Sequence, residues 1–163
     1  MTTLLLHAFV AGLALGLARP DPPAQADLCA LLTEAEAEAI VGKPLAAPEP
    51  QPNGDCWYPE RAGAGGGGEI MLHVFPERFG SEKEFHAFLV KEVKAADESA
   101  KKAMEGTGVT IKETAVEPVP EVKAPAYYAD PTLFVLLKGG QMFGIVASRP
   151  HAVAVAAKAL PRF

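Results

Sequence analysis

Thr132–Ser148 reads TLFVLLKGGQMFGIVAS. Two apolar runs flank Gly139-Gly140, a two-residue connection that tolerates positive φ, and the pattern predicts a β-hairpin. Within LFVLL neither alternating face is polar, and the same holds for IMLHVF, Ile70–Phe75. A strand with one wet face would alternate apolar and polar. The spacing therefore predicts a sheet with helices on both faces, or one face that carries an exposed apolar groove.

Toward the C-terminus, PHAVAVAAKAL (Pro150–Leu160) predicts a helix. Pro150 suits its first turn, and Val153, Ala156, Ala157 and Leu160 form its apolar side. Toward the N-terminus, Pro118, Pro120 and Pro125 keep EPVPEVKAP out of a sheet interior, and a short strand follows it. VTIKETAV (Val109–Val116) alternates, which predicts a strand with Val109, Ile111 and Val116 inward. Ser81 and Glu84 form a capping box that opens the longest helix. Its stripe of Phe85, Phe88, Leu89, Val93, Ala96, Ala100 and Met104 recurs at helical spacing and reads as core. Gly106 and Gly108 end it.

CWYPER (Cys56–Arg61) and EIMLHVF (Glu69–Phe75) read as two strands joined by AGAGGGG, Ala62–Gly68. A phosphate loop would need Gly-Lys-Ser/Thr leading into a helix, whereas Gly68 leads into Glu69 and a strand, so the run reads as a hairpin loop. Pro44–Asp55 is Pro-rich without periodicity and reads as a loop. Before it, Thr33 and Glu36 form another capping box, Ala37, Ile40 and Val41 share a face, and Gly42 and Pro44 stop the helix. Glu34, Glu36 and Glu38 read as a solvated face favoured by the helix dipole. Helices interspersed with hairpins give an α+β class: an antiparallel sheet of about five to six strands flanked by helices.

The chain has 163 residues, 49% hydrophobic and 21% charged, with net charge −5. That composition is globular, and the acidic balance gives no footprint for nucleic acid or an anionic membrane surface. Leu4–Ala18 is an apolar run interrupted by His7, shorter than the roughly 20 residues of a membrane span, and it fits the core of a secretory signal. Small-x-small sites end at Ala18 and Ala26. The three prolines between them favour cleavage after Ala26, with Ala18 as the alternative, so residues 1–26 are expected to be a leader and 27–163 a single domain. No Lys or Arg precedes the run, which leaves an uncleaved anchor as another possibility. Asp27 lies close before Cys29, where a lipoprotein signal has small apolar residues, so lipidation is not expected.

Export changes the meaning of Cys29 and Cys56. In an oxidising compartment two cysteines usually pair. There is no Cys-x-x-Cys and no local histidine partner, so a structural disulfide is favoured, worth roughly 3–4 kcal/mol in the chain-entropy model.

Catalytic patterns are missing. His7 would leave with the leader, and His73, His86 and His151 have no His-x-x-x-His spacing, so no metal site and no cofactor is expected. Gly-x-Ser-x-Gly does not occur. The weak ligand-binding candidates are His73, which alternates with Met71 and Phe75 on a strand, and the aromatics Trp57, Tyr58 and Tyr127, with Tyr128 beside them.

The series Cys29-Ala30-Leu31-Leu32-Thr33, then Gly42-Lys43-Pro44, then Cys56-Trp57-Tyr58 resembles the opening of small exported bacterial proteins of unknown function, the DUF3558-type lipoproteins and relatives with a Mog1/PsbP-like α/β/α sandwich. The resemblance implies that fold and an exported location. It carries over no catalytic residue, and the lipidated cysteine is missing here. The expected function is a non-catalytic exported module, periplasmic or extracellular, that binds an envelope protein or a small apolar ligand. The alternatives are a hydrolase or metal-dependent enzyme with a spatially assembled site, and a purely structural envelope protein.

Overall fold

The computed structural model describes residues 27–61 and 68–163. The expected leader and residues 62–67 of the glycine-rich loop lie outside the described residues. A short 3-10 helix (Leu28–Ala30) is followed by α1 (Glu34–Val41), β1 (Glu49–Pro50), β2 (Cys56–Pro59), β3 (Gly68–Arg78) and α2 (Glu82–Ala103). Then come β4 (Glu117–Pro118), β5 (Ala126–Ala129), β6 (Thr132–Leu136), β7 (Gln141–Val146), α3 (Arg149–Ala159) and a 3-10 turn, Leu160–Arg162.

The strands form one antiparallel sheet in the order β1-β2-β3-β7-β6-β5-β4. The α+β class is the one the sequence implies, but the sheet has seven strands rather than five to six. The additions are the two edges, each a two-residue Glu-Pro strand too short to show a pattern. One edge lies inside the stretch expected as a plain loop. There Leu45 is fully buried and bridges Glu60, the Ala46 amide donates to the Pro59 carbonyl (2.8 Å), and Glu49 pairs with Trp57.

Alternation sorts the apolar side chains onto two faces. Cys56, Tyr58, Ile70, Leu72, Leu133, Val135, Phe143 and Ile145 point to one, and each is 0% exposed. They are covered by Leu28, Leu31 and Leu32, by Ala37 of α1, and by Ala152, Val155, Ala156 and Ala159 of α3. The buried side of α3 differs from the expected one: Ala156 is inside, but Ala157 is exposed and Val153 and Leu160 are only half-buried. Between His151 and Lys158 the helix is only Ala and Val, so the apolar pattern by itself does not pick out the inner face. The disulfide joins the first 3-10 helix to β2 on this side, between Cys29 and Cys56, with 5.2 Å between Cα atoms and a sequence separation of 27. α1 has the expected ends, with the complete Thr33–Glu36 capping box and Gly42 at φ 78°.

The opposite face carries Phe75, Tyr127, Phe134, Leu136 and Met142 under Phe85, Phe88 and Leu89 of α2. At its N-terminus Ser81 caps the Glu84 amide, while the Glu84 carboxylate accepts from Gly80 (2.9 Å), one residue before the cap. Only the first half of the α2 stripe is core. Phe85 and Leu89 are buried and Val93 is half-buried, but Ala96 and Met104 are exposed. Past Ala96, α2 is tied to Val109–Val116 instead. Asp97 accepts from the Thr114 amide (2.7 Å) and hydroxyl (2.9 Å), and Lys101 pairs with Glu113 (2.8 Å). That segment is not the expected strand, and Val109 is 57% exposed. The Thr114 amide, a donor that a ladder would use, is taken by Asp97, and pairing starts only at Glu117.

In the terminal hairpin the loop is one residue longer than expected. Lys138, Gly139 and Gly140 lie between Leu137 and Gln141, whose amide–carbonyl bond (2.8 Å) closes the loop. Gly140 combines φ 83° with the Phe79 carbonyl oxygen only 2.3 Å from where a Cβ would sit, so any other residue is excluded sterically.

Candidate functional site

On the α2 side, β3 presents Met71, His73, Phe75 and Glu77, β6 presents Thr132 and Phe134, and β7 presents Met142, Gly144 and Val146. α2 covers only part of this surface. Between them runs a groove of about 430 Å³, walled by Phe75, Phe88, Leu89, Val93, Phe134 and Val146, with His73, Thr132, Glu77 and Glu92 as its polar members. Gly144 makes room for the Phe75 ring: a Cβ there would lie 2.7 Å from it. That ring sits 5.3 Å from His73 and 5.9 Å from Phe134 between centroids.

His73 is held by a partner that the strand register supplies. Cys56 pairs with Leu72, which sets Asp55 beside His73 on the groove side. His73 Nδ1 lies 2.6 Å from Asp55 Oδ1, and the Asp55 side chain is nearly buried. Asn53 closes over it: its amide donates to Asp55 Oδ2 (2.5 Å) and its Oδ1 accepts from the Asp55 amide (3.3 Å). An ionised carboxylate only accepts, so the bridging proton belongs to Nδ1, and in the neutral ring Nε2 is an acceptor. The His73 side chain is 29% exposed.

The other sequence candidates are not brought to this groove. Tyr58 points to the opposite face, 0% exposed, with its hydroxyl donating to the Leu32 carbonyl (2.7 Å). Burial pushes its phenol up to about 12. It is a core residue that fixes the start of α1. Trp57 is on the groove side of the sheet but on β2, half-buried beside Met71, and does not line the groove. Tyr127 lies under the first turns of α2. Its hydroxyl donates to Glu82 (2.9 Å), and its ring stacks on His86 at 4.5 Å. Burial and Glu82 raise its phenol above the ordinary value. Tyr128 belongs to the closed face, donating to Asp130 (3.0 Å) and the Ala147 carbonyl (3.2 Å).

His73 is thus the one candidate that reaches the groove. Asp55, Thr132 and Phe134 were not singled out by sequence reasoning. Asp55 has a usable signal, its place one residue before Cys56, once β2 is known to pair with β3. Both cysteines are bonded to each other, so neither is available as a nucleophile. The three serines lie elsewhere: Ser81 caps α2, Ser99 donates to Ala95, and Ser148 precedes α3. Among the described residues no group of three or more His, Cys, Asp or Glu side chains is placed to hold a metal ion, and no helix is long and apolar enough to cross a membrane.

Comparison with known proteins returned no matching family model, no matching curated protein and no matching solved structure.

Proposed function

We propose that this chain is an exported, non-catalytic binding module whose ligand is a small apolar molecule held between α2 and the sheet. The observation that carries the reading is the groove itself. A volume of about 430 Å³ with aromatic and aliphatic walls and a few polar members has the size and character of a small-molecule site. Export is supported by the Cys29–Cys56 bond and by the Leu4–Ala18 apolar run, since such bonds persist outside reducing compartments. Kinship with the DUF3558-type and Mog1/PsbP-like proteins belongs to the same proposal. It is supported by the two-cysteine opening and by a sheet with helices on both faces.

A second reading is a hydrolase with His73 as general base. It is favoured by the 2.6 Å contact to Asp55, which orients the ring as such a base requires. The groove offers it Thr132 and no serine or thiol, and the binding reading therefore stands first.

Mass spectrometry of the chain delivered by an exporting bacterial host tests the proposal. Under denaturing conditions we expect a chain processed after Ala26 or Ala18 and lacking two hydrogens. Under native conditions we expect a small additional mass that disappears on unfolding, or uptake of a neutral environment-sensitive dye by the unloaded protein. A full-length chain with two free thiols overturns export. A bare native mass together with no dye uptake overturns binding.

A further inference from the structure

We infer that the ligand of the groove is an apolar molecule bearing a protonated amine, an alkyl- or arylalkyl-ammonium, rather than a fatty acid or another anionic amphiphile. This rests on the binding reading above and adds the sign of the head group.

The polar members of the groove are biased to one side of hydrogen bonding. Glu77 and Glu92 are carboxylates and accept only. His73 has its Nδ1 proton committed to Asp55, which leaves Nε2 as an acceptor in the neutral ring. Thr132 serves either role. No lysine or arginine is among the described residues lining the groove. Lys91 approaches Glu92 at 3.7 Å, but its side chain is 81% exposed, and a pair so open to water leaves Glu92 available to a ligand.

An anionic head entering here would meet two like charges and no fixed cation, with the Thr132 hydroxyl as the donor the groove offers it. An ammonium head would find carboxylates and an imidazole nitrogen as acceptors. Its charge would also be received by the aromatic faces, since Phe75, Phe88 and Phe134 all line the groove and cations are attracted to such rings. The contrast with another concavity of the molecule sharpens the assignment. The hollow bordered by Lys112, Glu117, Tyr128 and Arg149 mixes both signs and has Arg149 paired to Glu117, so it selects no charge.

The test uses the oxidised chain as the exporting host delivers it, titrated by calorimetry with three probes of equal chain length below their micellar concentrations: decylammonium, decan-1-ol and decanoate. We expect decylammonium to bind about tenfold more tightly than the alcohol, the scale of one charge-assisted hydrogen bond, with decanoate weakest. We expect the double variant Glu77→Gln/Glu92→Gln, altered at two exposed positions, to bring the ammonium-to-alcohol ratio near one. Decanoate binding as tightly as decylammonium overturns the inference while leaving a binding groove in place, and so does a ratio unmoved in the double variant. Failure of all three probes to bind overturns the underlying reading instead.

Discussion

The two faces of the sheet are both largely apolar, the α2 face less so because it carries His73, Glu77 and Thr132, and they differ in how they are closed. On the α1/α3 face the inward side chains of the central strands are sealed except Val74, which is half-buried. On the α2 face Phe75, Phe134 and Val146 stay half-buried. The difference comes from the covering elements. α3 presents Ala152, Ala156 and Ala159, small enough for the helix to approach the sheet closely, and α1 and the disulfide-tied first turn fill the remainder. α2 presents phenylalanines over its first turns and then leaves the sheet for the Val109–Val116 segment. Small covering residues give a closed layer, and one long helix carrying large residues gives an open one.

The largest test of that contrast is a pair of truncations. Phe143→Ala, on the closed face, should cost about 3–5 kcal/mol, because the cavity has no route to collapse. Phe134→Ala, on the adjacent strand but the open face, should cost less than half as much. Urea unfolding of both variants checks this, and equal costs would remove the asymmetry.

Next comes the disulfide. Cys29→Ser/Cys56→Ser should lower stability by roughly 3 kcal/mol in the same assay, an effect that reductant should reproduce on the parent chain but not on the variant.

A smaller change sharpens the open side. Gly144→Ala drives a Cβ to 2.7 Å from the Phe75 ring, which must swing toward the groove. The expected cost is about 1–3 kcal/mol, with a loss of neutral dye uptake larger than that cost would produce by unfolding. Undiminished uptake would place the binding elsewhere.

The smallest effect is electrostatic. Arg162 donates to Glu36 at 2.7 and 2.9 Å and to the Leu31 carbonyl at 2.7 Å, clasping the C-terminal turn to α1. Its guanidinium, followed by the Thr33 amide, lowers the Glu36 carboxyl from 4.5 to about 2. Because the folded value lies below the unfolded one, this stabilisation is complete above about pH 4.5 and disappears as the pH falls through about 2. Stability profiles across that window should be flatter for Arg162→Ala than for the parent. Past the open face the Thr114 amide and then its hydroxyl lower the Asp97 carboxyl in the same sense, so Thr114→Val, which removes the hydroxyl and keeps the amide, should flatten the profile in part without touching the closed face.

Much of this was legible in sequence. The caps at Thr33 and Ser81, the terminal hairpin and the two-sided sheet follow from local spacing, and the pairing of Cys29 with Cys56 follows from there being two cysteines in a chain expected to be exported. The misses share a physical cause, in that they depend on what lies across the chain. Ala157 and Ala152 are the same residue, and only packing decides which is inside. Val109–Val116 alternates correctly, yet Asp97 captures the Thr114 amide. Tyr58 and Trp57 are neighbours on opposite faces, and the face of each depends on a register set with β3. His73 was visible as a candidate, but Asp55 becomes its partner only when β2 and β3 are laid side by side.

Both edges of the sheet end in the same dipeptide, Glu49-Pro50 and Glu117-Pro118. A strand from a neighbouring molecule arriving at either side meets two residues of ladder, one with no amide hydrogen to give and the other carrying a negative charge. Each edge therefore offers an incoming strand little ladder to extend, and the fold guards against strand addition at the two places where an open antiparallel sheet is vulnerable.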